Sequence, residues 1–73
     1  MTLKELRRKA GLRAEEVAAY VGVSYATVRN WEQGRTIPTL NILQTEKLLN
    51  LYGASFDEFA SAVKATNTNL VST

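Results

Sequence analysis

At 73 residues the chain has room for one small core and not for two, so a single domain of marginal size is expected. It contains no cysteine and no histidine, which excludes disulfide staples, thiol chemistry, a Cys/His zinc site and the commonest general base, so stability has to come from packing and neither metal nor cofactor is expected. The net charge of +2 is uneven: residues 1–36 carry Lys4, Arg7, Arg8, Lys9, Arg13, Arg29 and Arg35 against Glu5, Glu15, Glu16 and Glu32, whereas residues 37–73 are slightly acidic. A basic first half suits an anionic partner such as nucleic acid, and solvated helix surfaces produce the same asymmetry.

The charged opening "MTLKELRRKAG" leads into no apolar stretch, so neither a signal peptide nor a membrane span is expected, and a cytoplasmic location is. Thr2 and Glu5 have capping-box spacing, and Leu3, Leu6 and Ala10 recur at steps of three and four, predicting a first helix over about residues 3–10. Gly11 ends it in the left-handed conformation. Leu12 is expected to plug the core ahead of a second helix with Val17, Ala18 and Val21 inward and Glu15 and Glu16 in its positive first turn.

Gly22 closes the second helix, and only Val23 separates it from Ser24, a strong N-cap. Two helices meeting across so short a turn form a helix-turn-helix, with Ala18 small enough for the backbones to approach. The third helix is predicted over about residues 25–33, stopping at Gly34; Val28 and Trp31 face inward as core anchors, and Tyr25, Ala26, Arg29 and Asn30 form the outer face. Arg35 to Pro38 connect onward, and Leu40 returns to the core.

Asn41 caps a fourth helix over about 42–52, with Leu48, Leu49 and Tyr52 inward and Gly53 just past its end. Ser55 and Glu58 repeat the capping-box spacing and start a fifth helix with Phe56, Phe59 and Val63 on one face. The domain is expected to end at about residue 65, and "TNTNLVST" over 66–73 is read as a frayed tail.

The pattern "LKELRRKAGL…EEVAAYVGVS…TVRNWEQGR…P" over residues 3–38, with "SFDEF" further on, resembles the Cro and lambda-repressor type of helix-turn-helix domain, also called the xenobiotic-response-element family. The matching positions include Leu6-Arg7, Gly11-Leu12, Val17-Ala18, Val21-Gly22-Val23-Ser24, Val28, Trp31-Glu32 and Gly34. The resemblance implies an all-α, five-helix domain that binds double-stranded DNA as a small transcriptional regulator, in the manner of a repressor. Its third helix would be the recognition helix in the major groove.

The resemblance also implies an internal ion pair between Arg7 and Glu32, and it carries base reading onto Tyr25, Ala26 and Asn30. Asn can bond adenine twice, and Ala and the Tyr ring can cover a thymine methyl, which favours an A·T-containing site. Ser24, Thr27, Arg29, Gln33 and Arg35 would hold phosphates or the groove edge, with Gly34 letting the backbone approach the strand.

Two departures stand out. Arg13-Ala14 replaces the family's common Thr-Gln, removing a glutamine that typically grips a phosphate, although the Arg13 guanidinium can reach phosphate from the same place. About two extra residues lie between Pro38 and Gly53.

An enzyme is not expected: besides the missing histidine and cysteine there is no Gly-rich phosphate loop, and the close acid pairs Glu15-Glu16 and Asp57-Glu58 sit in helix first turns. No small-molecule ligand is indicated. The competing function is a protein-interaction module that kept the scaffold and lost DNA affinity, for which Ala14 is the main reason. A homodimer that forms only on DNA is an expectation for so small a chain, and it would use Leu51, Phe56 or the pair Leu70-Val71.

Overall fold

The computed structural model of the chain describes residues 1–67. Among these are five helices and no strand: α1 (Leu3–Lys9), α2 (Ala14–Val21), α3 (Tyr25–Glu32), α4 (Ile42–Tyr52) and α5 (Phe56–Thr66). The all-α, five-helix architecture is thus established. No helix among the described residues is long and apolar enough to cross a membrane.

Local chemistry sets the helix starts. The Thr2 hydroxyl accepts from the Glu5 N–H at 3.3 Å while the Glu5 carboxylate accepts from the Thr2 N–H at 2.7 Å. Asn41 with Gln44 and Ser55 with Glu58 close the same reciprocal pair at α4 and α5. α2 has only half of it: Glu16 accepts from the Arg13 N–H at 2.8 Å, and a guanidinium has no acceptor with which to answer. α3 begins with the Ser24 hydroxyl accepting from the Thr27 N–H at 3.1 Å.

The core is drawn from every helix: Leu3 and Leu6, then Val17, Ala18 and Val21, Val28 and Trp31, Leu48 and Tyr52, Phe59 and Ala62. Leu48, Val17 and Val28 are wholly enclosed, and each such side chain contributes about 2 kcal/mol through the apolar area it removes from water. α2 packs most closely on α3 and also lies on α4, while α1 lies on α5. Between α2 and α3, Gly22 takes φ +86°, and the Gly22 and Val23 N–H groups both donate to the Ala18 carbonyl, which turns the chain within three residues. Gln44 ties α4 to this unit by donating from Nε2 to the Val21 carbonyl at 3.3 Å.

Three expectations change. Phe56 is 63% exposed, and Ala62 takes the inward place beside Phe59, because Phe56 is the first residue of α5 and precedes the turn that meets the core. Ala10 is solvent-exposed as the C-cap of α1. The expected tail meets a helix that runs through Thr66 with Asn67 buried as its cap: the Thr66 hydroxyl accepts from the Leu3 N–H at 2.9 Å, joining the two ends of the fold. The remainder of that tail, 68–73, with the dimer candidates Leu70-Val71, lies outside the described residues.

Candidate nucleic-acid interface

α3 is held from behind by two apolar anchors and one ion pair. Val28 and Trp31 are buried. One turn of geometry away, Glu32 meets Arg7 in a two-pronged contact, Nε to Oε2 at 2.6 Å and Nη2 to Oε1 at 3.0 Å, with the side chains 4% and 11% exposed. Arg7 also donates from Nη1 to the Leu12 carbonyl at 3.0 Å, so a single guanidinium fixes α1, the α1–α2 connection and the end of α3.

The hydrogen bond to Glu32 holds the Arg7 guanidinium above its ordinary pKa. Burial, followed by the nearby Glu32 charge, pushes the Tyr52 hydroxyl above its ordinary value, so this neighbour of the pair stays neutral.

The C-terminal end of α3 is fixed by a close approach. Gly34 has φ +72°, and a Cβ built there would stand 2.9 Å from the Thr66 carbonyl oxygen. The glycine that the sequence reading set against a DNA strand is buried inside the protein, against the end of α5. Beyond it the Arg35 N–H donates to the Asn30 carbonyl at 3.0 Å, leaving the Arg35 side chain in solvent.

With its inner side occupied, α3 turns the remaining residues outward. Tyr25 is 44% exposed, Ala26, Arg29 and Gln33 are exposed, and Asn30 is half-buried. The Arg29 guanidinium donates from Nη1 to the Tyr25 hydroxyl at 2.7 Å and lies 5.7 Å from the ring centroid, so these two side chains form one unit. Ser24 and Thr27 sit at the helix start, their hydroxyl oxygens 2.7 Å apart. Arg13 is exposed, with Nε 3.8 Å from Glu16 Oε1.

A hollow of about 400 Å³ opens between α1, α2 and α3. Of the sequence-derived site residues it gathers Arg13, Tyr25, Arg29 and Gln33, together with the Arg7–Glu32 pair; Ser24, Ala26, Thr27, Asn30 and Arg35 do not line it. Lys4 and Arg8 do, and the sequence reading assigned them no role. Their i, i+4 spacing on a helix was the available signal, since it puts both on one side of α1. No cluster of three His, Cys, Asp or Glu able to hold a metal ion occurs among the described residues.

The fold and this layout define a helix-turn-helix domain, and the chain belongs to the helix-turn-helix family, which matches residues 3–59. It is similar to the HTH-type transcriptional regulator PuuR of Escherichia coli, 36% identical over 59 residues, covering 81% of this chain and 31% of that protein; the Shigella flexneri protein of the same name gives the same values. The HTH-type transcriptional regulator DdrOP3 of Deinococcus deserti is 34% identical over 62 residues, covering 85% of this chain and 46% of that protein. The chain therefore spans less than half the length of these relatives. No solved structure gives a significant match.

Proposed function

We propose that this chain is the DNA-binding part of a transcriptional regulator, acting as a repressor, and that α3 enters the major groove of double-stranded DNA. The observation that carries the reading is the division of α3: Val28, Trp31 and Glu32 hold the helix, while Tyr25, Ala26 and Arg29 are exposed and Thr27 and Asn30 half-buried. A helix with no ligand on that side more often carries Glu and Lys pairs than Tyr, Thr and Asn, which are poorer helix formers. Membership of the helix-turn-helix family and likeness to proteins named as transcriptional regulators support the same conclusion.

In this reading Tyr25, Ala26 and Asn30 read base edges. Asn30 offers a paired donor and acceptor to adenine, and Ala26 with the Tyr25 ring covers a thymine methyl. Ser24, Thr27, Gln33, Arg35, Arg13 and Arg29 fix the helix on the backbone and carry no sequence information. The regulator acts as a symmetric dimer on half-sites about one DNA turn, ~34 Å, apart. Of the dimer candidates among the described residues, Phe56 is exposed and available for self-association, while Leu51 packs against the core.

Selection from random duplexes at low and physiological salt tests this. Enrichment of a two-fold-symmetric site that is lost in Asn30→Ala and in Tyr25→Ala is the expected result. Absence of enrichment, with only weak and salt-labile retention, would overturn it in favour of a protein-interaction module.

A further inference from the structure

We infer that the hollow between α1, α2 and α3 seats a backbone phosphate of the bound duplex, with Lys4 and Arg8 of α1 as the contacts that complete it. The inference rests on the DNA-binding reading above and adds a helix outside the helix-turn-helix to the contact surface.

The charge within the hollow is unbalanced. Lys4, Arg8, Arg13 and Arg29 border it, and of the carboxylates that do so Glu32 is consumed by Arg7, leaving Glu15. Among the described residues Lys4, Arg8 and Arg29 enter no ion pair, so the cations bordering the concavity outnumber the one carboxylate left there. The remaining cation of α1 outside the Arg7 tie behaves differently: Lys9 lies on a separate cleft with Asp57 and Glu58. α1 thus carries a balanced side toward α5 and an unbalanced side toward the hollow. Cations gathered on a recess with low-dielectric walls concentrate positive potential there, and the natural complement is an anion.

Shape and chemistry narrow the anion. Ala14 is buried at the wall of the hollow, where its methyl leaves the recess open. The Tyr25 hydroxyl holds one N–H of Arg29, which keeps the guanidinium at the rim with its other N–H groups available to an acceptor. Guanidinium groups and an ammonium bordering one hollow match the oxygens of a phosphate. Tyr25, Arg29 and Gln33 belong both to the hollow and to the outer side of α3, so a duplex lying along α3 carries its backbone across the opening.

The test is the salt dependence of binding to a generic duplex, measured by fluorescence anisotropy for the wild type, Lys4→Ala/Arg8→Ala and Lys9→Ala, with thermal melts showing that each folds. All three replaced side chains are exposed. The double variant is expected to flatten the slope of log K against log salt by about 1 and to lose about tenfold in affinity at low salt, with Lys9→Ala close to wild type. A double variant with the wild-type slope, or a Lys9→Ala loss as large as that of the double variant, would overturn the inference and leave the DNA-binding reading standing. Failure of the wild type itself to bind duplex would overturn both.

Discussion

α2 and α3 are each eight residues long and meet across Gly22, Val23 and Ser24, yet they divide their side chains differently. α2 buries Ala14, Val17, Ala18 and Val21, half of its length, whereas α3 buries Val28 and Trp31. α2 is secured chiefly by apolar area, with the Gln44 bond to the Val21 carbonyl as its polar tie to α4. α3, with less area, is secured by ties at its ends: the Ser24 cap at the start, and the Arg7–Glu32 pair and the Gly34–Thr66 approach at the finish. A helix can keep a polar outer side for a ligand if its position is set at its ends instead of along its length. That division predicts that changes at the end ties cost stability, while changes on the outer side cost binding alone.

The largest effect is expected at the ion pair. Glu32→Ala leaves the Arg7 guanidinium nearly buried with only the Leu12 carbonyl as partner, and should lower stability by about 2–4 kcal/mol. A urea midpoint within error of wild type would show that α3 does not depend on this tie.

Gly34→Ala should cost about 1–2 kcal/mol, since the side chain meets both a positive φ and the Thr66 carbonyl oxygen. Gly22→Ala separates these two causes: it has the same sign of φ with open space around a Cβ, so it should lose less than Gly34→Ala in the same urea experiment. Equal losses would remove the close approach from the account.

The smallest effect is in acid. The bonds that Glu58 accepts at the start of α5 hold its carboxyl below the ordinary 4.5. A group whose folded pKa is depressed stabilises the fold above its unfolded pKa, and that contribution is lost as pH falls through the folded value. Glu58→Gln keeps an acceptor without the charge, so the stability gap between it and wild type should close on acidification below about pH 4.5. A gap that stays constant down to pH 3 would contradict this.

The parts of the fold that lie within one helical turn were legible in the sequence. Thr2 with Glu5, Ser24, Asn41 and Ser55 with Glu58 mark helix starts because a capping hydrogen bond spans three residues and needs no knowledge of the rest of the molecule. The inward residues of α3 followed from spacing for the same reason. Phe56 did not: periodicity gives the side of a helix but not how far along it the neighbouring helix reaches. Gly34 was legible as a glycine position, but its partner, the Thr66 carbonyl, is supplied by a distant segment. The hollow was invisible for the same cause, since Lys4 and Arg8, Arg13, and Tyr25 and Arg29 come from three helices that only packing brings together.

The central claim is that α3 separates holding from reading, and the double variant Tyr25→Ala/Asn30→Ala tests it most directly when its urea midpoint and its affinity for the selected duplex are measured on one preparation. A midpoint within about 0.5 kcal/mol of wild type together with an affinity loss of about a hundredfold or more is the expected result. Unchanged affinity, or a stability loss large enough to account for the lost binding, would contradict it.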